Sequence, residues 1–565
     1  MKIIKKFSFV LISNLITIQI LFAQIENVPA THSVYSFLKR MELKGIIENY
    51  YDGVLPLSRK QIANFISVIS ENRNELTKVE SKILDDLLIE FEYDLKSTTQ
   101  NSFNLFGRNY DVVSGLVRGT FQDREKHLYV FRDNNINLFF DGLLNFDFRR
   151  FTGSQLTDNA SFIEGGFRFR GSIYNKVGYY LLLTNAQFWG SRDVLKMDKR
   201  IKQSFALSTL ETKNFDFLEG YAKYQTGPIS LQIGRERILW GRSYGDKLLI
   251  SDYARIFDAI RTDFEYKFLK YTFLHGWLNG RKSYSYIPEY NNYEPVAVDK
   301  FVAAHRLDIA FTKYLQFGIQ EFEIYSNRSV DLGYLNPISF FESVQRARGE
   351  RDNGFLGFDI KIQPFKNLEL HADMFFDDIE IPMLGKNRWD NKYAFQIGLF
   401  AVDPLFFKNL DFMFEYTQVD PYMFSHNRSL ENSFANDDVL LGTQIGPNAL
   451  SWYFKINSYI TNRLTISASY ELQRSGENEY DSNGILIRNV GGDFRIPLRM
   501  NIDQIPTKFL DGKICHTQII QFFTTYEFIN EFYLDFRYKR FESKFKDLSN
   551  KTFYHDFGMT LRIDF

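Results

Sequence analysis

The stretch FYHDFGMTLRIDF, Phe553 to Phe565, decides the fold. Taking every second residue backwards gives Phe565, Ile563, Leu561, Met559 and Phe557. The intervening set is Asp564, Arg562, Thr560, Gly558 and Asp556. One face is apolar and the other is polar, charged or glycine, the period-two signature of a strand between two unlike media. An aromatic last residue in mid-strand predicts that the strand lies in the wall of a closed sheet.

The same period governs the chain from about residue 100 onward. INLFFDGLLNFDF sets Ile136, Leu138, Phe140, Leu144, Phe146 and Phe148 against Asn137, Asp141, Asn145 and Asp147. FRFRGSI alternates Phe167, Phe169 and Ile173 with Arg168, Arg170 and Ser172. Trp452, Phe454 and Ile456, then Leu464, Ile466, Ala468 and Tyr470, repeat the pattern across a turn near Asn462. Segments of roughly ten residues separated by Gly, Asn, Asp and Pro turns are the signature of a membrane β-barrel. At roughly 25 residues per strand, loops included, about sixteen to eighteen strands fit, with eighteen the best estimate.

A sandwich or propeller would alternate too, so composition must arbitrate. Phe 58, Tyr 33 and Trp 5 make the chain 17% aromatic, yet its mean hydropathy is -0.28. After the N-terminus no apolar run approaches the ~18 residues of a membrane helix. Dispersed aromatics of this kind suit the girdles of a barrel.

The first residues, MKIIKKFSFVLISNLITIQILFAQ, have lysines at 2, 5 and 6, an apolar run from Phe7 to Phe22, then Ala23. This predicts a secretory signal peptide, residues 1–23, cleaved after Ala23. A backbone in hydrocarbon must satisfy its own N–H and C=O groups, which a closed sheet does. Export, aromatic load and the terminal strand together favour a transmembrane antiparallel β-barrel over residues 101–565, in the outer membrane.

Residues 24–100 read differently. Ile62, Phe65, Ile66 and Ile69 have helical spacing behind a Ser58/Gln61 capping box. Thr77 with Glu80 opens a second helix carrying Ile83, Leu84, Leu87 and Leu88, and a short helix is predicted over Val34 to Ile46. This small helical region is expected on the periplasmic side.

A formal net charge of -1 gives no sign of a nucleic-acid partner. The single cysteine, Cys515, excludes an internal disulfide and has no nucleophile context. The eight histidines are scattered, and no cofactor or metal is expected. Asp377 and Asp378 are neighbours, so on a strand they point to opposite faces and cannot form one acid/base pair. Glu321 and Glu323 share a face and fit retaining glycosidase spacing, but a lumenal ion pair with Arg306 or Arg237 explains them as well.

Several central stretches resemble the Wzi capsule-assembly family of outer-membrane proteins. The clearest is GRERILWGRSYGDKLLISDYARIFDAI, Gly234 to Ile260. Others are HRLDIAF from His305, YLNPISFF from Tyr334, the Asp352-Asn353 pair, MFFDDIEI around Asp377, EYTQVDPYMFSH from Glu415 and LGTQIGPNA from Leu441. The set runs in order over about residues 230 to 450, and PLSRKQIA near the N-terminus looks similar to that family's helical segment. Arg242-Ser243-Tyr244 departs from the glycine-rich turn of the pattern. The resemblance implies about eighteen strands, a periplasmic helical bundle, a plugged or narrowed lumen, and a non-catalytic, lectin-like role organising capsular polysaccharide.

Candidate ligand-binding or lumenal residues are Arg235, Arg237, Trp240, Arg242, Tyr244, Tyr253, Glu321, Glu323, Asp377 and Asp378. Tyrosines and tryptophan, Tyr422 included, could stack on sugar rings; their ordinary role is girdle or packing. Charges that point inward are expected to pair and brace the lumen, since a lone buried charge is costly. The expected partners are surface polysaccharide, outer-membrane lipid and the barrel-insertion machinery, read through the strand ending at Phe565; the chain is expected to be monomeric. Rival readings are a diffusion porin or transporter, a membrane hydrolase, and a scaffold for a secretion machine.

Overall fold

The computed structural model describes residues 24–106, 123–203, 214–281, 283–287, 291–296, 298–377, 392–503, 507–548 and 551–565. Period-two patterning becomes a closed antiparallel barrel of eighteen strands. These are β1 Ile136–Gly153, β2 Thr157–Ile173, β3 Val177–Gly190, β4 Asn214–Thr226, β5 Ile229–Glu236 and β6 Phe257–Tyr266. Next come β7 Leu269–Asn279, β8 Asp299–Thr312, β9 Leu315–Ser326, β10 Asn353–Phe365, β11 Leu368–Asp377 and β12 Lys392–Val402. The last six are β13 Leu410–Val419, β14 Ala449–Tyr459, β15 Leu464–Glu477, β16 Lys513–Ile529, β17 Phe532–Phe545 and β18 Lys551–Asp564.

Strand β18 closes on β1, with Leu561 opposite Phe146 and Ile563 opposite Leu144. The Phe565 N–H donates to the Gly142 carbonyl at 3.0 Å. Its carbonyl accepts from the Arg168 guanidinium at 2.7 Å, and its ring centroid lies 5.6 Å from that of Phe532. The terminal residue therefore lies in the wall. Phe557 and Met559 are exposed on its outer surface, whereas Asp556 and Asp535 are buried on the inner one, as two unlike media require.

The two ends of the barrel differ. At one end neighbouring strands join through short turns: Gly227-Pro228, Lys267-Phe268 and Lys366-Asn367 each connect a pair. At the other, β9 and β10 are 26 residues apart and β15 and β16 are 35 apart (numbers 327–352 and 478–512). No helix among the described residues is long and apolar enough to cross a membrane.

Helices α1 Val34–Leu43, α2 Arg59–Glu71, α3 Lys78–Glu90 and α4 Glu92–Lys96 pack together at the short-turn end. Both capping boxes form, Ser58 with Gln61 and Thr77 with Glu80. Val34, Leu38, Met41, Ile62, Ile66 and Leu84 make the core, each essentially inaccessible. The region is docked on the turns: the Thr77 hydroxyl donates to Asn409 at 2.6 Å, and the Asn367 N–H donates to the Leu43 carbonyl at 2.8 Å.

Candidate functional site

The lumen is filled on the β6–β13 side. After β5 the chain turns inward at Leu239–Trp240, which pairs with Val54–Leu55 from the helical region. Trp240 is fully buried and its Nε1–H donates to Gln320 of β9 at 2.6 Å. That pairing aims the next residue but one, Arg242, at the barrel axis. Its guanidinium donates to Asp359 at 2.7 Å, Asp308 at 2.7 Å and Asp52 at 2.9 Å. Its backbone N–H reaches Asp373 at 3.1 Å. Arg306 shares the same wall carboxylates, at 2.7 Å from Asp308 and 2.6 Å from Asp359. Gly53 lets the helical region approach, since a Cβ there would lie 2.5 Å from the Arg306 guanidinium.

A second layer ties the helices to the wall. Lys39 of α1 contacts Glu42 at 2.8 Å, Asp52 at 2.9 Å and also Glu369 of β11. Lys361 of β10 contacts Glu42 at 2.7 Å and Asp52 at 3.1 Å. Burial alone would raise the Asp52 carboxyl, but Lys361, Lys39 and Arg242 overrule it and hold it well below the usual carboxylate range. Burial likewise works against the Arg242 charge, and Asp359, Asp308 and Asp52 more than offset it, raising its pKa. Tyr244 donates to Glu369 at 2.8 Å, with its ring centroid 4.8 Å from that of Phe400. These groups pair with one another, so the network is an ionic buckle between the helical region and the wall.

The other predicted residues lie elsewhere. Asp377 points into the lumen, 2.8 Å from Lys392; Asp378 falls outside the described residues. Arg237 donates to the Asp252 carbonyl at 3.1 Å and to Gln203 at 3.3 Å. Arg235 is on the outer face, in an ion pair with Asp258 at 2.7 Å. Tyr253 is half-exposed beside Lys199, and Tyr422 is buried with its hydroxyl on the Asn489 carbonyl at 3.0 Å. Glu321 and Glu323 are not lumenal: Gln320 and Phe322 hold the inner face, so the two glutamates point outward. They are buried there because the segment 327–352 folds over the outer wall. His305 contacts Glu321 at 2.7 Å, and the Phe341 N–H donates to it at 3.1 Å. Tyr334 and Phe341 cover the patch.

Among the described residues an open concavity lies at the long-loop end, beyond β14–β17. A cleft of about 680 Å³ is lined by Asp438, Gln444, Tyr480, Phe494, Arg495 and Lys513 among others. It carries aromatic faces, carboxylates, an amide and cations. One wall is fixed by Gly491, whose φ of +72° and a Cβ position 2.4 Å from the Tyr422 nitrogen admit no side chain. The Tyr422 N–H donates to the Gly491 carbonyl at 3.0 Å, fastening the 420–448 loop to 478–512. Asp493 holds Arg495 at 2.9 and 2.8 Å. Sequence reasoning missed this site because loops have no period; GGDFRIP (Gly491–Pro497) was its one compositional mark.

The capsule assembly protein Wzi family matches residues 90–553. The chain belongs to that family. The inward strand-and-turn carrying Trp240 and Arg242 and the 420–448 loop both fall within the match. Among solved structures, Wzi of Escherichia coli, an outer-membrane protein involved in group 1 capsule assembly and a carbohydrate-binding β-barrel, superposes with a TM-score of 0.56 at 11% identity. The alignment covers 95% of this chain and 99% of that one. A BenF-like porin from Pseudomonas fluorescens Pf-5 gives a TM-score of 0.43 at 10% identity, covering 75% of this chain and 99% of that one. No curated protein matches the sequence.

Proposed function

We propose that this barrel holds or organises a surface polysaccharide during capsule assembly, binding it without catalysis. The observation that carries the reading is the open, mixed aromatic and polar cleft at the long-loop end of a Wzi-family barrel. The E. coli relative is described as carbohydrate-binding, and short turns on one end with long loops on the other match the periplasmic and external ends of outer-membrane barrels. On that reading the long loops face outside and residues 24–100 face the periplasm. The leader 1–23 is removed after Ala23, the β18 strand guides insertion, and the protein works as a monomer among outer-membrane lipids.

A glycan array with the purified protein, repeated with Tyr480→Ala and Phe494→Ala, tests the binding. Binding of an acidic or neutral polysaccharide that both variants weaken is the expected result. In cells, deletion should move polysaccharide from the surface into the medium while synthesis continues. Unchanged cell-bound sugar together with an empty array refutes the proposal.

A further inference from the structure

The first described residues enter the lumen as an extended thread. Gln24 and Glu26 are fully buried and Asn27 nearly so. The Arg59 N–H donates to the Glu26 carbonyl at 2.9 Å, and Asn27 N–H donates to the Tyr221 hydroxyl at 2.8 Å. The thread is pressed on the wall: a Cβ on Gly178 would come 2.7 Å from the Glu26 nitrogen. At its start, the Gln24 nitrogen lies 3.1 Å from an Asp94 carboxylate oxygen. Glu26 is the odd member. Neither of its carboxylate oxygens accepts a hydrogen bond from another residue, and Arg170 stands 3.6 Å away. Arg170 is a distant partner for so buried a carboxylate, and a second nearby cation would stabilise it further.

We infer that the α-ammonium of Gln24, created by removal of the leader, adds a cation to this acidic cluster and locks the helical region into the barrel mouth by pairing with Asp94, the carboxylate that the Gln24 nitrogen faces. The inference rests on the proposed processing after Ala23 and is independent of the polysaccharide reading. Hydrolysis of the Ala23–Gln24 bond places the water hydroxyl on the Ala23 carbonyl carbon and leaves an amine on Gln24, which takes up a proton. The unperturbed amine titrates at about 7.7–8.0, so a neighbouring carboxylate keeps it charged at neutral pH. Burial pushes the Glu26 carboxyl up to about 8, with Arg170 pulling it only part of the way back, which is the deficit an added cation would correct. The Gln24 side chain is held away from its own amine: Oε1 accepts from Arg170 at 2.8 Å and Nε2 donates to Asn137 at 2.9 Å. That restraint opposes attack of the amine on the side-chain carbonyl and loss of ammonia.

The test uses the full chain expressed with its leader and purified from membranes. N-terminal sequencing and intact mass should give an uncyclised Gln24. An amine-acylating reagent near neutral pH should label the folded α-amine at least tenfold more slowly than the same amine in denaturant. A variant with Gly-Ser inserted between Ala23 and Gln24 should label at the denatured rate, with amide exchange over residues 24–30 faster by tenfold or more. Glu26→Gln, which spares the Asp94–Arg59 contact, should raise labelling of the folded α-amine several-fold. A mature N-terminus elsewhere, a cyclised one, or equal labelling of folded and unfolded protein overturns the inference.

Discussion

Replacing Arg242 by alanine removes a group that joins the inward turn to Asp52 of the helical region and to two wall carboxylates, Asp308 and Asp359. Its guanidinium serves Asp52, Asp308 and Asp359 at 2.7–2.9 Å with no exposure of the side chain. Breaking a buried pair by deleting one partner costs about 3–5 kcal/mol, because the other charge is stranded. Three stranded carboxylates would exceed that if additive, but Arg306 and Lys361 still serve Asp308, Asp359 and Asp52, so about 3–5 kcal/mol is the working figure for undocking. Each 1.4 kcal/mol is tenfold, so amide-exchange protection over α1 and residues 50–55 should fall by about two to three and a half decades in Arg242→Ala. Arg242→Lys keeps the charge and loses the fork, and should fall between. The pH dependence follows from Asp52. Its depressed pKa contributes stability that is present above the unfolded value of about 3.9 and is lost as pH falls through the folded one. Wild-type protection should therefore persist through mildly acidic pH, while in Arg242→Ala the carboxylates protonate at higher pH and acidification should restore part of the lost protection. Equal exchange in wild type and Arg242→Ala at neutral pH would refute the buckle.

Trp240→Phe removes one of the two donors to the Gln320 carbonyl, Arg306 keeping the other at 2.7 Å, and should lower stability by about 0.5–1.5 kcal/mol, read by denaturant midpoint in detergent. Removal of Phe565 takes away the hydrogen bonds to Gly142 and Arg168 and the ring on Phe532; the fraction of heat-modifiable, folded barrel on gels should drop, with no drop counting against a structural role for the seam. Tyr480→Ala and Phe494→Ala should each weaken polysaccharide binding by roughly three- to tenfold, the value of an aromatic contact of about 0.5–1.5 kcal/mol, measured by titration calorimetry.

Strand periodicity made the wall legible: the apolar set Phe557, Met559, Leu561 and Ile563 is one face of the closing strand, and Asn137, Asp141 and Asp147 are buried on the inner face of β1. Local chemistry made the two capping boxes legible. What lies across the lumen was not. Nothing near Asp52 in sequence says that it meets Lys39, Arg242 and Lys361, because those contacts span up to 309 positions. The cleft escaped for the same reason, being assembled from three loops that have no period of their own.

Glu321 and Glu323 show where alternation misleads. Period two says that they share a face, and it is right; it cannot say which face. A charged pair on a barrel strand is assigned inward by default, since lipid cannot solvate it. Here the default fails because the segment 327–352 returns along the outer wall and supplies its own cover: the Phe341 N–H donates to Glu321, which His305 of β8 also contacts, and the Tyr334 hydroxyl donates to Asp352. The outer face of β8–β10 near the long-loop end thus meets protein instead of lipid. Polar residues on a lipid-side position are then evidence of a covering loop, and Ile338 and Leu332, strongly exposed on that cover, carry the apolar surface that the wall beneath has given up.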